Sequence, residues 1–246
     1  MPATEKMNNE HCFPNKSKGI IIAADVSTLS ELQHLVQLST NVPEVVGIKI
    51  GFSLSLRYGL AAVVDTVNKI HKIPIIYDHQ KAATDIPTMG KPFADICCEA
   101  GIKGVILFPQ AGPKTLEAFV IAVLENNMTP IVGLVMTHSA YLQTEGGFIS
   151  DSAPEKICGL AMLLGVRSFV LPGNKYEIVS KFSQGSLLPV SPVEIMMPGI
   201  GTQGGSIMEA FNASKGHHPF AIVGSAIYKS NKPQVTLMNL AKEIRI

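Results

Sequence analysis

Asp78, Lys81 and Asp85 fall within eight residues of one another in "YDHQKAATDIP" (77–87), directly after the apolar run "IPII". A carboxylate, an ammonium group and a second carboxylate in that order form an array of alternating sign. That is the arrangement in which several charges can share an apolar setting, because an unpaired charge is costly to bury. Asp25 closes the apolar run "GIIIAAD" (19–25), and Lys49 is the one charge in "VVGIKIGF" (45–52). Each has a plainer reading when taken alone. A single Asp at a strand end is a common helix N-cap, and a single Lys can lay its stem on apolar surface with its head in water. Taken together, Asp25, Lys49, Asp78, Lys81 and Asp85 read as one converging charged site. His79 and His138 read as ordinary loop histidines. The cysteines and histidines have no metal-ligand spacing, and no serine sits in a G-x-S-x-G turn, so a metal centre or a serine nucleophile is not suggested.

The second chemical signal is "PGIGTQGGS" (198–206). A glycine-rich loop running into a helix can turn backbone N–H groups toward a phosphate, and the same composition also serves as a tight turn. "VGSAIY" (223–228) lies beyond the next apolar run and opens another helical segment.

These residues need elements to position them. Eight short apolar runs recur along the chain, at 19–25, 45–50, 74–78, 104–108, 130–136, 168–172, 194–199 and 220–224. Their near-continuous apolar character marks strands buried on both faces, as in a parallel sheet. The intervening stretches have helical spacing: 27–40, with Ser27 or Ser30 as its cap, then 54–70, 86–101, 113–126, 153–165 and 234–244. Pro113 and Pro154 suit first-turn positions. Eight strand–helix alternations without a linker predict a single (β/α)8 TIM barrel over 19–246, preceded by a polar arm at 1–18; a doubly wound open sheet is the alternative. In a barrel, Asp25, Lys49, Asp78 and the loops after strands 5, 7 and 8 all reach the same face, and phosphate sites form between the loops after strands 7 and 8.

Composition sets the class. Hydrophobic residues make up 46% and charged residues 16% of the 246, which is a globular rather than a disordered balance. A net charge of +1, with no basic run, gives no support for nucleic-acid binding. No apolar run reaches membrane-spanning length, and "IIIAA" is too short for a signal peptide core. Cys12, Cys97, Cys98 and Cys158 form no CxxC pair and read as reduced thiols. A cytoplasmic protein is expected.

The chain resembles the orotidine 5′-phosphate decarboxylase family over nearly its whole length. That family places an aspartate after strand 1, a lysine on strand 2 and D-x-K-x-x-D-I-P after strand 3. Asp25, Lys49, Asp78, Lys81, Asp85, Ile86 and Pro87 follow the same order. The family's P-G-I/V-G-x-Q-G-G matches Pro198 to Gly205 at every position, and its M-S-H after strand 5 is matched by Met136, Thr137 and His138. The resemblance implies a metal- and cofactor-free decarboxylase that converts orotidine 5′-phosphate (OMP) to UMP. It implies Lys81 as proton donor, Asp78 beside the substrate carboxylate, and Lys49 and Asp25 on ribose hydroxyls. Thr137 would lie at the pyrimidine edge. Pro198, Gly201, Gln203, Gly204, Gly224 and Ser225 would surround the phosphate. Asp85 would serve the site of a second subunit in a homodimer.

Two departures stand out. The strand 3 motif reads D-x-x-K-x-x-x-D-I-P, one residue longer in each gap, and Ser225 stands where the family's V-G-R-x-I-Y carries a phosphate-gripping arginine. Two rival readings follow: a Mg²⁺-dependent sugar-phosphate lyase of the same barrel superfamily, and a non-catalytic nucleotide-binding relative. The lyases use an acid on strand 2, where this chain has Lys49.

Overall fold

In a computed structural model, which describes residues 11–79, 82–185, 187–189 and 191–245, all eight apolar runs become strands. They are β1 (Gly19–Ala24), β2 (Val45–Gly51), β3 (Ile75–Asp78), β4 (Gly104–Leu107), β5 (Thr129–Gly133), β6 (Ser168–Val170), β7 (Glu194–Met197) and β8 (His218–Val223). Each pairs in parallel with the next, and β8 pairs with β1 to close the barrel. The connecting helices are α1 (Leu29–Ser39), α2 (Phe52–Tyr58), α3 (Leu60–Asn68), α4 (Gly90–Glu99), α5 (Pro113–Glu125), α6 (Ala153–Leu163), α7 (Tyr176–Gln184), α8 (Ile207–Ala213), α9 (Ser225–Tyr228) and α10 (Pro233–Arg245). The fold is the expected TIM barrel, and the open-sheet alternative is excluded.

The strands are largely apolar because both faces are covered. Ile20, Ile22, Ile48, Ile50, Ile75 and Tyr77 face the helices and join the larger core. Ile21, Ile76, Ile106, Ile131, Met196 and Phe220 belong to a separate cluster that fills the barrel. Alternation along β3 therefore sends Ile75 and Tyr77 into the outer core, and Ile76 and Asp78 to the other face.

Local chemistry sets the helix ends. The cap of α1 is Thr28, not Ser27 or Ser30. Its hydroxyl accepts from the Glu31 N–H at 3.2 Å, while the Glu31 carboxylate accepts from the Thr28 N–H at 2.9 Å. This reciprocal capping box satisfies two N–H groups at once, which neither serine achieves. The helix expected over 54–70 is two helices, because Gly59 has φ +79°, in the left-handed region that interrupts a helix. Pro113 is the first residue of α5 and Pro154 the second of α6, where a missing N–H costs nothing.

The segment expected as a polar arm is only partly so. Within it, Cys12 and Phe13 are buried in the interior cluster. Their backbone N–H groups donate to the Glu194 carboxylate at 3.0 and 2.7 Å, and the Ser168 hydroxyl donates to it at 2.5 Å. Glu194 opens β7 and is fully buried, so Cys12 and Phe13 plug the N-terminal end of the barrel around its carboxylate. Burial, followed by repulsion from Glu194, raises the Cys12 thiol pKa well above its ordinary value.

Candidate active site

The strand ends deliver their polar groups to a cavity of about 370 Å³. Register explains the convergence: Lys49 pairs with Ala23 on one side and Ile76 on the other, and Gly51 pairs with Asp78. The Lys49 Nζ lies 3.0 Å from Asp78 Oδ2 and 3.1 Å from Asp25 Oδ1. The three side chains, from the ends of three adjacent strands, bring together Asp25, Lys49 and Asp78 of the five charges expected to converge. Gly51 makes room for it, since a Cβ there would sit 2.7 Å from Asp25 Oδ1.

Burial by itself would lower the pKa of the Lys49 ammonium. The charge of Asp78, then that of Asp25, and the hydrogen bonds to both acids outweigh burial and hold it above its ordinary value. Lys49 is thus a fixed cation at neutral pH. Burial raises the Tyr228 hydroxyl, and the nearby Asp25 charge adds to that, so the phenol stays protonated in the cavity wall.

Of the expected site residues, Asp25, Lys49, Asp78, Thr137, Pro198, Gln203, Gly224 and Ser225 line this cavity. Lys81 lies outside the described residues. Asp85 is exposed and borders a different depression, together with His79, Met89, Phe93 and Ile96. Its carboxylate accepts from the Ile86 N–H at 2.7 Å, and its carbonyl accepts from the Thr115 hydroxyl at 2.8 Å. Gly201 and Gly204 are structural parts of the glycine loop and do not line the cavity. The Gly204 N–H donates to Gly201 O, the Gly201 N–H to Gly205 O, and the Gly205 N–H to Gly199 O, all within 3.0 Å. Those three N–H groups close the turn on itself.

The described residues of the longer strand 3 motif dock on the barrel from Ala82 onward. Ala83 takes a left-handed conformation with φ +66°, and both Ala82 and Ala83 are buried. The Phe108 N–H donates to Ala82 O at 3.0 Å, docking the loop on the end of β4. His79 is held from the side by the Tyr77 hydroxyl at 2.6 Å and does not line the cavity. His138 does line it, edge-on to the Tyr141 ring.

Sequence reasoning missed three contributors. Asn174 Nδ2 donates to Thr137 O at 3.4 Å and reaches Gln203 O at 3.5 Å, while Lys175 Nζ donates to His138 O at 3.2 Å and pairs with Glu145 at 2.8 Å. These two residues of the loop after β6 tie the loops after β5 and β7 together. Thr202 Oγ1 lies 2.6 Å from Ser225 Oγ, joining the loops after β7 and β8. The glycine-rich motif placed Thr202 in view, but nothing local marked its partner.

A family model described as "Orotidine 5'-phosphate decarboxylase / HUMPS family" matches residues 18–239. Among curated proteins, the orotidine 5′-phosphate decarboxylase of Methanosarcina mazei is 28% identical, with 92% of this chain and 94% of the relative covered. That of Methanosarcina barkeri is 29% identical, with 93% and 96% covered. Among solved structures, the orotidine 5′-monophosphate decarboxylase of Methanocaldococcus jannaschii, complexed with the inhibitor BMP, superposes with a TM-score of 0.79 at 23% identity. The match covers 93% of this chain and 99% of that one. This structural likeness concerns the fold.

Proposed function

We propose, from the premise that the chain belongs to the orotidine 5′-phosphate decarboxylase / HUMPS family, that it is a carboxy-lyase which decarboxylates OMP to UMP in pyrimidine biosynthesis. The observation that carries this reading is the Asp25–Lys49–Asp78 array in the wall of the cavity. Its ammonium lies between two carboxylates, where a sugar-phosphate lyase of this superfamily would need an acid and a divalent cation. Charge repulsion between Lys49 and a metal disfavours that rival.

In the proposed reaction the bond between C6 and the carboxylate breaks, CO₂ leaves, and the electron pair stays on C6. Lys81, as ammonium, stabilises that carbanion and delivers a proton to it. Asp25, Lys49 and Asp78 carry one net negative charge between them, so a substrate carboxylate brought beside Asp78 calls for a further cation, and Lys81 follows Asp78 by three residues. Lys49 and Asp25 hold ribose hydroxyls and Thr137 the pyrimidine edge. Gln203, Pro198, Gly224 and Ser225 face the phosphate. Interactions made strongest as charge develops raise turnover, whereas remote phosphate contacts help to organise the site. The reading needs no metal or organic cofactor.

Asp85 serves the cavity of a second copy in a homodimer. Its exposure beside Ile86, Met89 and Ile96, each an exposed apolar side chain, supports that assignment. A cytoplasmic setting accords with four free cysteines; burial pushes the Cys97 and Cys158 thiols up to about 12.

The test is ultraviolet-monitored loss of OMP with and without EDTA. Turnover that EDTA leaves intact supports the decarboxylase. EDTA-sensitive aldol chemistry on a sugar phosphate selects the lyase, and UMP binding without turnover selects the non-catalytic relative.

A further inference from the structure

The β7–β8 wall of the cavity combines a polar lining with very little positive charge. Among the described residues that line the cavity, Lys49 is the one lysine or arginine, and it is held between Asp25 and Asp78. The N–H groups of Gly201, Gly204 and Gly205 are used within the glycine turn. The polar side chains that the loops after β7 and β8 present are the pair Thr202 Oγ1 and Ser225 Oγ, 2.6 Å apart, with Gln203 beside it. Both hydroxyl residues line the same cavity as the charged array.

We infer that Thr202 and Ser225 set the specificity of this cavity for the 5′ end of its ligand: they grip it through neutral hydroxyls, so nucleotide and nucleoside are separated far less sharply than by a cation-lined pocket. This deepens the proposed function and rests on it. Among the described residues that line the cavity, Asp25 and Asp78 are the acids, so a phosphate is better placed against the Thr202–Ser225 wall than beside them. There each hydroxyl has one hydrogen to give, and one of the two is already spent inside the pair. An arriving anion must open the pair to receive both. A guanidinium would bring five N–H donors in a fixed fork and a full charge. Hydroxyl recognition therefore gives modest discrimination, and it is weakly screened by salt because no ion pair is made.

The experiment is calorimetric titration of the full chain with UMP and with uridine, at low and high salt, together with the OMP turnover assay. The native protein should bind UMP only modestly more tightly than uridine, with little salt dependence. Ser225→Ala and Thr202→Val should each narrow that ratio further and leave uridine binding unchanged. Ser225→Arg, at a half-buried position, should tighten UMP by roughly tenfold to a hundredfold, leave uridine unchanged, and make UMP binding fall with salt. The inference is overturned, with the decarboxylase reading intact, if OMP is turned over while native UMP binding weakens steeply with salt. It is equally overturned if Ser225→Ala and Thr202→Val leave the ratio where it was. Absence of both UMP binding and OMP turnover overturns the two readings together.

Discussion

The Lys49 ammonium stands 3.0 Å from the Asp78 carboxylate, and only 5% and 11% of the two side chains are exposed. An enclosed pair of this kind is weak evidence for stability as built, but removing one member leaves the other charge stranded. Lys49→Met should therefore destabilise the fold by on the order of 3 kcal/mol, read from urea denaturation. Lys49→Met combined with Asp78→Asn should recover part of that loss. The pH dependence has a definite sign. Because the Lys49 pKa is raised in the fold, its contribution is complete below the unfolded value, about 10.4, and is lost as pH rises through the higher folded value. Toward alkali, the native-minus-variant difference should stay flat until well above neutral pH and then shrink. A difference already lost just above neutral pH would contradict the pairing.

Lys81→Ala separates chemistry from binding. If Lys81 delivers the proton to C6, the variant should lose OMP decarboxylation by at least about a thousandfold, at the upper part of what a positioned acid contributes, and still bind UMP measurably. Near-normal turnover in the variant would remove Lys81 from the mechanism. Asp85→Ala should also be inactive alone, yet mixing it with Lys81→Ala should restore part of the activity, since a mixed dimer would contain one intact site.

Gly51→Ala probes the geometry of the array without touching a charge. The added Cβ would meet Asp25 Oδ1 at 2.7 Å, so the carboxylate must swing away from Lys49. Asp25 is half exposed and can move, so the fold should lose less than about 1 kcal/mol. The expected outcome is a KM for OMP several times higher with a Tm close to native. A Tm loss comparable to that of Lys49→Met would show instead that the strand itself is disturbed.

Glu194→Ala tests the plug at the other end of the barrel. The carboxylate accepts from Cys12 N–H, Phe13 N–H and the Ser168 hydroxyl, all buried. Hydrogen bonds to a charged group are worth about 1.5–3 kcal/mol each, and donors left unpaired add to the loss. The variant should fall by more than about 3 kcal/mol, and residues 11–13 should exchange amide hydrogens faster. A small change would mean that water replaces the carboxylate without cost.

The barrel was legible because each strand carries its own signal: a run buried on both faces reads the same whatever lies beside it. The Asp25–Lys49–Asp78 array was legible for the same reason, as charges at the ends of such runs. Contacts between loops were not. Asn174 reaches Thr137 and Gln203 from a loop whose local sequence shows no pattern, and Thr202 meets Ser225 across 23 positions. Glu194 was read only as the first residue of a strand, since its partners, Cys12 and Phe13, lie nearly the whole chain away. The cap of α1 was misplaced because Ser27, Thr28 and Ser30 are all competent; the choice falls to Thr28 through Glu31, three residues on.

His217 should make stability sensitive to mild acid. The Val193 N–H donates to its Nδ1 at 3.3 Å, and with that tautomer its Nε2–H donates to Ser183 O at 3.2 Å, so the neutral ring satisfies both neighbours. Burial lowers its pKa; the Ser183 carbonyl opposes that in part, and His218 adds to it. A histidine whose folded pKa is depressed contributes its full stability above the unfolded value, about 6.5, and loses it as pH falls through that value toward the folded one. Protonation would also put a second N–H where Val193 needs an acceptor. The difference in stability between native protein and His217→Gln should therefore be largest near pH 7.5 and shrink by about pH 5.5, measured by chemical denaturation at each pH. The carboxylates that titrate lower are common to both proteins and cancel. A difference that stays constant would show that folding leaves the histidine's proton affinity unchanged, and one that grows on acidification that the fold favours the charged ring.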